Sequence, residues 1–333
     1  MVKPGTDDQK TGNGKYFAHL AIARSSYFLI KTAKRHKADL YIAHNLGALP
    51  AVVKTALLHK KPSGFDAEDF HRQEVTDDVN SFNFKICCCI EDKYLHSVNY
   101  ITASSPLIAG LYTSLYKSEV TTLLNVFPKT LRPPAITDDK NKTLKLFWFS
   151  QTIGPNRGLE DIIEALQFLK DYSFELHLLG EADGDIKSIF TMHLKGRSGT
   201  IHFHEPIPSD KIIEFASQFD IGLALETETP FNRDICLTNK IFTYIQAGLA
   251  VIASNTTAQM ELLDQYPAIG KVYKKENGQS LADGLLYYMQ NRNKLIETRR
   301  AAIIIADKQL NWENESQKFL NVIENILAVI PEK

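Results

Sequence analysis

The chain has 333 residues, with Lys plus Arg at 38 and Asp plus Glu at 39, so a formal net charge of -1 gives no global field toward nucleic acid. A chain of this length can bury two cores of ordinary size, yet no run approaches the ~20 apolar residues of a membrane-spanning helix. Met1 to Lys15 is too polar for a secretion signal, so the expected location is the cytoplasm.

Phe17 to Lys37 is predicted as one helix ending in Lys31, Lys34, Arg35, His36 and Lys37. Cations at that end suit the helix dipole; a basic apolar helix resting on an anionic membrane is the alternative. Leu40 to Ala43 reads as a strand with His44 after its carboxyl end, and Leu46 to His59 as a helix that His44 could cap. A short strand at Ser63 to Phe65 leads into Asp66, Glu68 and Asp69, which either bind hydroxyl groups or form a solvated acidic loop. Cys87, Cys88 and Cys89 are consecutive and on a helix point about 100° apart, which suits neither a disulfide nor a metal site. Small buried side chains in a reducing compartment are expected instead. Strands at Tyr100 to Thr102 and Leu123 to Val126 place Ser104, Ser105 and Asn125 at strand ends. Lys129 to Lys142 is polar, proline-bearing and aperiodic, hence a linker.

Leu144 to Phe149 is a predicted strand and Leu159 to Lys170 a helix with Ile162, Ile163, Leu166 and Leu169 inward. The loop between them holds Gly154 and Gly158, which allow close backbone approach, and Arg157, whose planar fork suits phosphate oxygens. Asp220 to Leu225 and Leu249 to Ala253 read as buried strands with a helix between them. Thr238 is its expected N-cap, Ile241, Tyr244 and Ile245 share a face, and Gly248 sits at the stop. Lys240 then falls in the first turn, where a cation is unfavourable without an anion. A phosphate there gains unpaired N–H groups and a full charge; an ordinary unit with Lys240 in solvent is the alternative. Both loops lie at strand carboxyl ends, where open α/β sheets bind ligands. From Asn277 onward the pattern is helical, with apolar faces at Leu281, Leu285, Tyr288 and Met289, then at Trp312, Phe319, Val322, Ile323 and Ile326. No metal-ligand spacing appears, and Gly12-Asn13-Gly14 in a polar tail makes no dinucleotide fingerprint.

The segments FWFSQTIGPNRGLEDIIEAL, FELHLLGEADGD, HFHEPIP, DIGLALE and LTNKIFTYIQAGLAVIASNTTAQ, in that order, resemble the carboxyl-terminal domain of glycosyltransferase family 4. Upstream, ADLYIAHNLGALPAV, FDAEDFHRQE, ASSPLIAGLY and LLNVFP resemble its amino-terminal domain, so the similarity runs from about Ala38 to the last helix. The resemblance implies an α/β GT-B fold, two Rossmann-like domains with parallel sheets facing across a cleft. The expected boundaries are 1–128 for an incomplete acceptor-side domain, 129–142 for the linker, 143–308 for the nucleotide-sugar domain and 309–333 for a helix packing back toward the first domain. Family members carry further β-α units before the region matching Asp39, so the amino-terminal domain is expected to be truncated by roughly 90 residues, about three such units. Its narrow sheet would expose an edge through which chains associate.

The same resemblance implies transfer of a sugar from a UDP- or GDP-sugar donor to a hydroxyl of a glycan or lipid-linked acceptor, with retention of configuration. Polysaccharide or lipopolysaccharide assembly at the inner face of the membrane is the implied setting, with no cofactor and no metal. Arg157 before Gly158 stands where relatives carry a lysine against the diphosphate, and Gln151 replaces a second basic residue. The family's paired glutamates fall on Ile235 and Thr243, so Glu226, Glu228 or Asp234 would take any acidic role and Thr243 would offer a hydroxyl to the ribose. Lys240, found in "NK-F-Y" variants of this region, compensates for Gln151. The expected catalytic set is His44, Arg157 and Lys240; the donor-binding set is Ser150, Gln151, Gly154, Gly158, Glu205, Glu226, Thr238, Asn239 and Thr243. A non-catalytic nucleotide-sugar binder is the main alternative, and an epimerase of similar fold is disfavoured because its catalytic carboxylates are not evident.

Overall fold

In the computed structural model, residues 18–131, 143–194 and 198–328 are described. The Gly12-Asn13-Gly14 tail and most of the expected linker, Lys129 to Lys142, lie outside them; Lys129–Leu131 form one 3-10 turn. The chain divides into two compact units: Met1–Leu123 with Thr229–Asn232 and Phe319–Lys333, and Leu124–Glu228 with Arg233–Lys318.

The first unit contains α1 (Ser26–Ala33), β1 (Tyr41–His44), α2 (Leu49–His59), β2 (Ser63–Ala67), α3 (Phe82–Tyr94), β3 (Tyr100–Ala103), α4 (Pro106–Tyr116) and β4 (Val120–Thr122). Its four strands pair in parallel in the order β1-β2-β3-β4, each joined to the next through a helix, as parallel neighbours require. Register fixes the faces: Ala43, Phe65 and Ile101 lie side by side and are buried, while His44, Asp66 and Thr102 share the opposite face. On that second face Tyr100 meets the edge of Phe319, with ring centroids 6.3 Å apart. Gly64 makes room for this, since a Cβ there would lie 2.0 Å from the Tyr100 ring.

The structure differs from the sequence reading at three places in this half. The expected helix from Phe17 to Lys37 is broken between Ala21 and Ser26, where Ser26 N–H turns back to the Ala23 carbonyl at 3.1 Å. Adjacent serines favour such turns and caps over helix interiors. The expected strand at Leu123 to Val126 is displaced upstream to β4, because Val126 N–H closes on the Leu124 carbonyl at 2.8 Å and Leu124 N–H is taken by the Glu315 carboxylate at 3.0 Å. His44 is the last residue of β1 rather than the residue after it, and the helix behind it begins at Leu49, with Pro50 in its first turn. Ser81 caps α3 by accepting from Phe84 N–H at 3.1 Å, so Ser81→Ala is expected to cost about 1 kcal/mol of unfolding free energy in urea melts. Cys87 on that helix is buried and its thiol is pushed up to about 12 by burial, the behaviour of an inert core residue.

The second unit contains β5 (Leu144–Thr152), α5 (Leu159–Ala165), β6 (Phe174–Glu181), α6 (Gly184–Leu194), β7 (Thr200–His204), α7 (Ile212–Ala216), β8 (Ile221–Ala224), then α8 (Asn232–Ile235), whose first residue belongs to the first unit. There follow α9 (Asn239–Gln246), β9 (Ala250–Ser254), α10 (Thr257–Gln265), β10 (Gly270–Tyr273), α11 (Gly278–Gln290), α12 (Arg292–Lys308) and α13 (Trp312–Ala328), which runs into the first unit from Phe319. Six parallel strands pair in the order β10-β9-β8-β5-β6-β7. Leu146, Trp148, Leu176, Leu178, Leu223 and Ile252 fill one face, and on the other Phe147 stacks on Phe219 at 4.6 Å with Tyr244 edge-on to it. The expected helix to Lys170 stops at Ala165, where Gln167 and Phe168 shift to bonds three residues back; this tighter turn still delivers Leu166 and Leu169 to the core.

Candidate functional site

The switch in strand order, with β6 and β8 on opposite sides of β5, opens a crevice at the carboxyl end of the sheet. A cavity of about 340 Å³ lies there. One side is apolar: Phe149, Leu179, Pro206, Ile207 and Ile212. The other is polar and comes from two element ends, Ser150 and Gln151 among the last residues of β5 and Thr238, Asn239 and Lys240 at the start of α9. Apolar walls with a few convergent polar groups are the composition of a small-molecule site.

Thr238 occupies the N-cap position in extended conformation, with φ -75° and ψ 156°, but its side chain makes no cap bond. The hydroxyl donates instead to Glu226 Oε1 at 3.0 Å, which leaves the first-turn N–H groups without a side-chain acceptor. Lys240 Nζ donates to the same Oε1 at 2.6 Å. Both side chains are largely buried, at 15% exposure for Lys240 and 9% for Glu226, so Lys240 does not stand in solvent. The anion that a cation in a first helical turn demands is thus already supplied by the chain, and two of the three ammonium donors remain for a ligand. Glu226 is itself fixed through its backbone, whose N–H donates to Ser254 Oγ at 2.9 Å and whose carbonyl accepts from it at 2.8 Å.

The second loop is built around two residues in the left-handed region, Asn156 and Gly158. Asn156 N–H donates to Glu160 Oε1 at 3.0 Å, and Arg233 Nη1 donates to the Asn156 carbonyl at 2.9 Å. Between them Arg157 Nη1 donates to Ser150 Oγ at 2.9 Å, so the guanidinium reaches the cavity wall through Ser150. Gly154, by contrast, has open space where a Cβ would stand.

Ser150, Gln151, Thr238, Asn239 and Lys240 converge, with Glu226 and Arg157 one hydrogen bond behind them. Thr243 does not join them: it is buried and its hydroxyl donates to the Asn239 carbonyl at 2.9 Å, against the expectation of a ribose contact. Glu205 is exposed, one residue before the Pro206 wall. Of the three acids considered in place of the missing pair, Asp234 caps α10 through Thr257 N–H at 3.0 Å and Glu228 pairs with Lys275 at 2.7 Å, leaving Glu226. Of the apolar wall, the sequence reading reached Phe149 as the end of a strand and Leu179, Pro206 and Ile207 only within segments of family resemblance, and it did not single out Ile212.

His44 lies in the first unit with 65% of its side chain exposed, its Nδ1 3.0 Å from Asp66 Oδ2. Asp66 Oδ1 accepts from Thr102 Oγ1 at 2.7 Å, so the carboxylate is fixed and orients the imidazole. His44 is not the cap of α2: Asn45 Oδ1 takes the Gly47 N–H at 2.8 Å in the preceding turn.

No family model matches the chain, and no curated protein matches it. Among solved structures, Alr3699/HepE of Anabaena in complex with UDP is 16% identical with a TM-score of 0.72, over 92% of this chain and 83% of that one. A glycosyltransferase from Rickettsia africae is 13% identical with a TM-score of 0.67, over 99% and 85%. Sucrose-phosphate synthase from Thermosynechococcus elongatus is 11% identical with a TM-score of 0.73, over 96% and 80%. The fold is GT-B.

Within this GT-B chain two groups of side chains have metal-ligand proximity, His44 with Asp66 and Glu68, and Glu175 with His177 and His202. The expectation that no ligand cluster exists is therefore corrected for the described residues: parallel register sets His44 beside Asp66 and His177 beside His202, which linear spacing hides. His177 is pushed down to about 4 by burial, against which the Glu175 hydrogen bond acts only in part. The unfolded chain, with an ordinary histidine near 6.5, binds the proton more readily, so this stability is complete above that value and is lost as pH falls toward 4. The urea midpoint is expected to drop between about pH 7 and pH 5, and to drop less in His177→Gln.

Proposed function

We propose that the chain is a glycosyltransferase that holds a nucleotide-sugar donor in the cavity of its second unit and passes the sugar to a hydroxyl acceptor. The observation that carries this reading is the convergence of Ser150, Gln151, Thr238, Asn239 and Lys240 on one cavity at the carboxyl end of the sheet. Cleavage between the anomeric carbon and phosphate puts charge on the departing diphosphate, and donors fixed in advance toward it stabilise that state most. Lys240, oriented by Glu226, the uncapped N–H groups of α9 and Arg157 behind Ser150 are those donors. The apolar side, with Phe149 and Ile212, suits the base.

A UDP-sugar is the donor we favour, since similar GT-B structures of Alr3699/HepE hold UDP and UDP-glucose. The resemblance to family 4 supports retention of configuration, a glycan or lipid-linked acceptor, and a role for His44 near the sugar. No described helix is long and apolar enough to cross a membrane, and an inner-face cytoplasmic location is the setting proposed.

A thermal-shift panel of UDP, GDP, ADP and CMP tests the donor site, with UDP expected to give the largest shift. At a hundredfold excess over Kd the stabilisation is about 2.7 kcal/mol. Release of UDP from UDP-glucose only when an acceptor is added would establish transfer. A shift without turnover would favour the non-catalytic binder, and the absence of any shift would end the reading.

A further inference from the structure

We propose that Glu175, His177 and His202 form a binding site for a divalent ion of the Zn²⁺ class at the β6–β7 edge of the second unit. One ligand atom from each lies within 4.8 Å of the others. His177 Nε2 and Glu175 Oε2 are already 3.1 Å apart, close to the ~3.3 Å between ligands of a tetrahedral ion with bonds of about 2.0–2.1 Å. Two imidazoles and a carboxylate, with a fourth position open toward solvent at the exposed His202, are a donor set that suits zinc better than magnesium or calcium.

The surroundings hold the ligands in place. The His177 side chain is 9% exposed, pinned between the ring of His202 at 4.6 Å and that of Phe219 at 4.6 Å. Its other nitrogen, Nδ1, lies 2.9 Å from His204 Nε2. With Nδ1–H donating to His204, Nε2 presents a lone pair to the ion; this outer hydrogen bond is the usual device for fixing a ligating histidine. In the ion-free chain Nε2 lies against the Glu175 carboxylate; an ion at that atom requires the ring proton on Nδ1, so the imidazole changes tautomer and stays neutral. Lys145 Nζ lies 3.3 Å from the same Oε2.

This site is independent of the donor cavity and of whether sugar is transferred. Its test is Co²⁺ titration of the untagged full-length chain, read by the visible absorption of tetrahedral cobalt and by displacement with Zn²⁺. One ion per chain is expected, with the band absent in His202→Gln, kept in His44→Ala, and the affinity of His204→Phe lowered about 10- to 100-fold. His202 is exposed on an edge strand, so equal melting of wild type and His202→Gln in EDTA separates ligand loss from misfolding. No cobalt band in the wild type, a band that survives His202→Gln, or one lost in His44→Ala instead would overturn the assignment.

Discussion

Lys240→Ala is expected to cut the rise in melting temperature that UDP produces in the wild-type chain to about half or less. Among the described residues Lys240 is the one full charge in the cavity lining, and it is held there by Glu226 at 2.6 Å. A hydrogen bond to a charged partner contributes about 1.5–3 kcal/mol, so Kd for UDP should rise roughly 10- to 100-fold. The substitution also leaves the Glu226 carboxylate with only the Thr238 hydroxyl, and the nucleotide-free protein should itself melt lower. Lys240→Ala combined with Glu226→Gln removes that second effect, and the loss of UDP affinity should persist in it. Calorimetry showing the same Kd in wild type and the double variant would remove Lys240 from the site.

Gly158→Val is expected to lower the unfolding free energy by about 3 kcal/mol or more, through strain and overpacking together. At φ +74° a β-branched residue is disfavoured on backbone grounds alone, and its Cβ would lie 2.6 Å from Leu225 Cβ and 3.1 Å from the Leu225 carbonyl oxygen. Because Gly158 precedes α5 and follows Arg157, the same change should loosen the contact between Arg157 and Ser150 and weaken UDP binding. Gly154→Ala is the comparison: with open space at its Cβ it should stay within about 0.5 kcal/mol of wild type. Equal urea midpoints for Gly158→Val and wild type would contradict the loop geometry.

Much of this was legible in the chain because strands and helices write their burial into local spacing. The apolar runs at Ile221–Ala224 and Ala250–Ser254 became fully buried neighbours, and Gly248 took the left-handed φ of 73° its position required. Lys240 in a first helical turn was visible as an electrostatic anomaly that called for an anion. Which anion answers it was not visible: Glu226 arrives from the end of β8, and only the placement of β8 beside β9 brings it there.

By itself, then, the sequence determined the element types, the inward faces and the two loops that carry Ser150, Arg157 and Lys240, since each depends on residues a few positions apart. The tertiary structure decided the strand order, the break before Ser26, the apolar wall around Ile212, and the meetings of His44 with Asp66 and of His177 with His202. Those depend on crossovers and register between distant segments, and a one-residue change of register would turn every one of these side chains to the other face of its sheet.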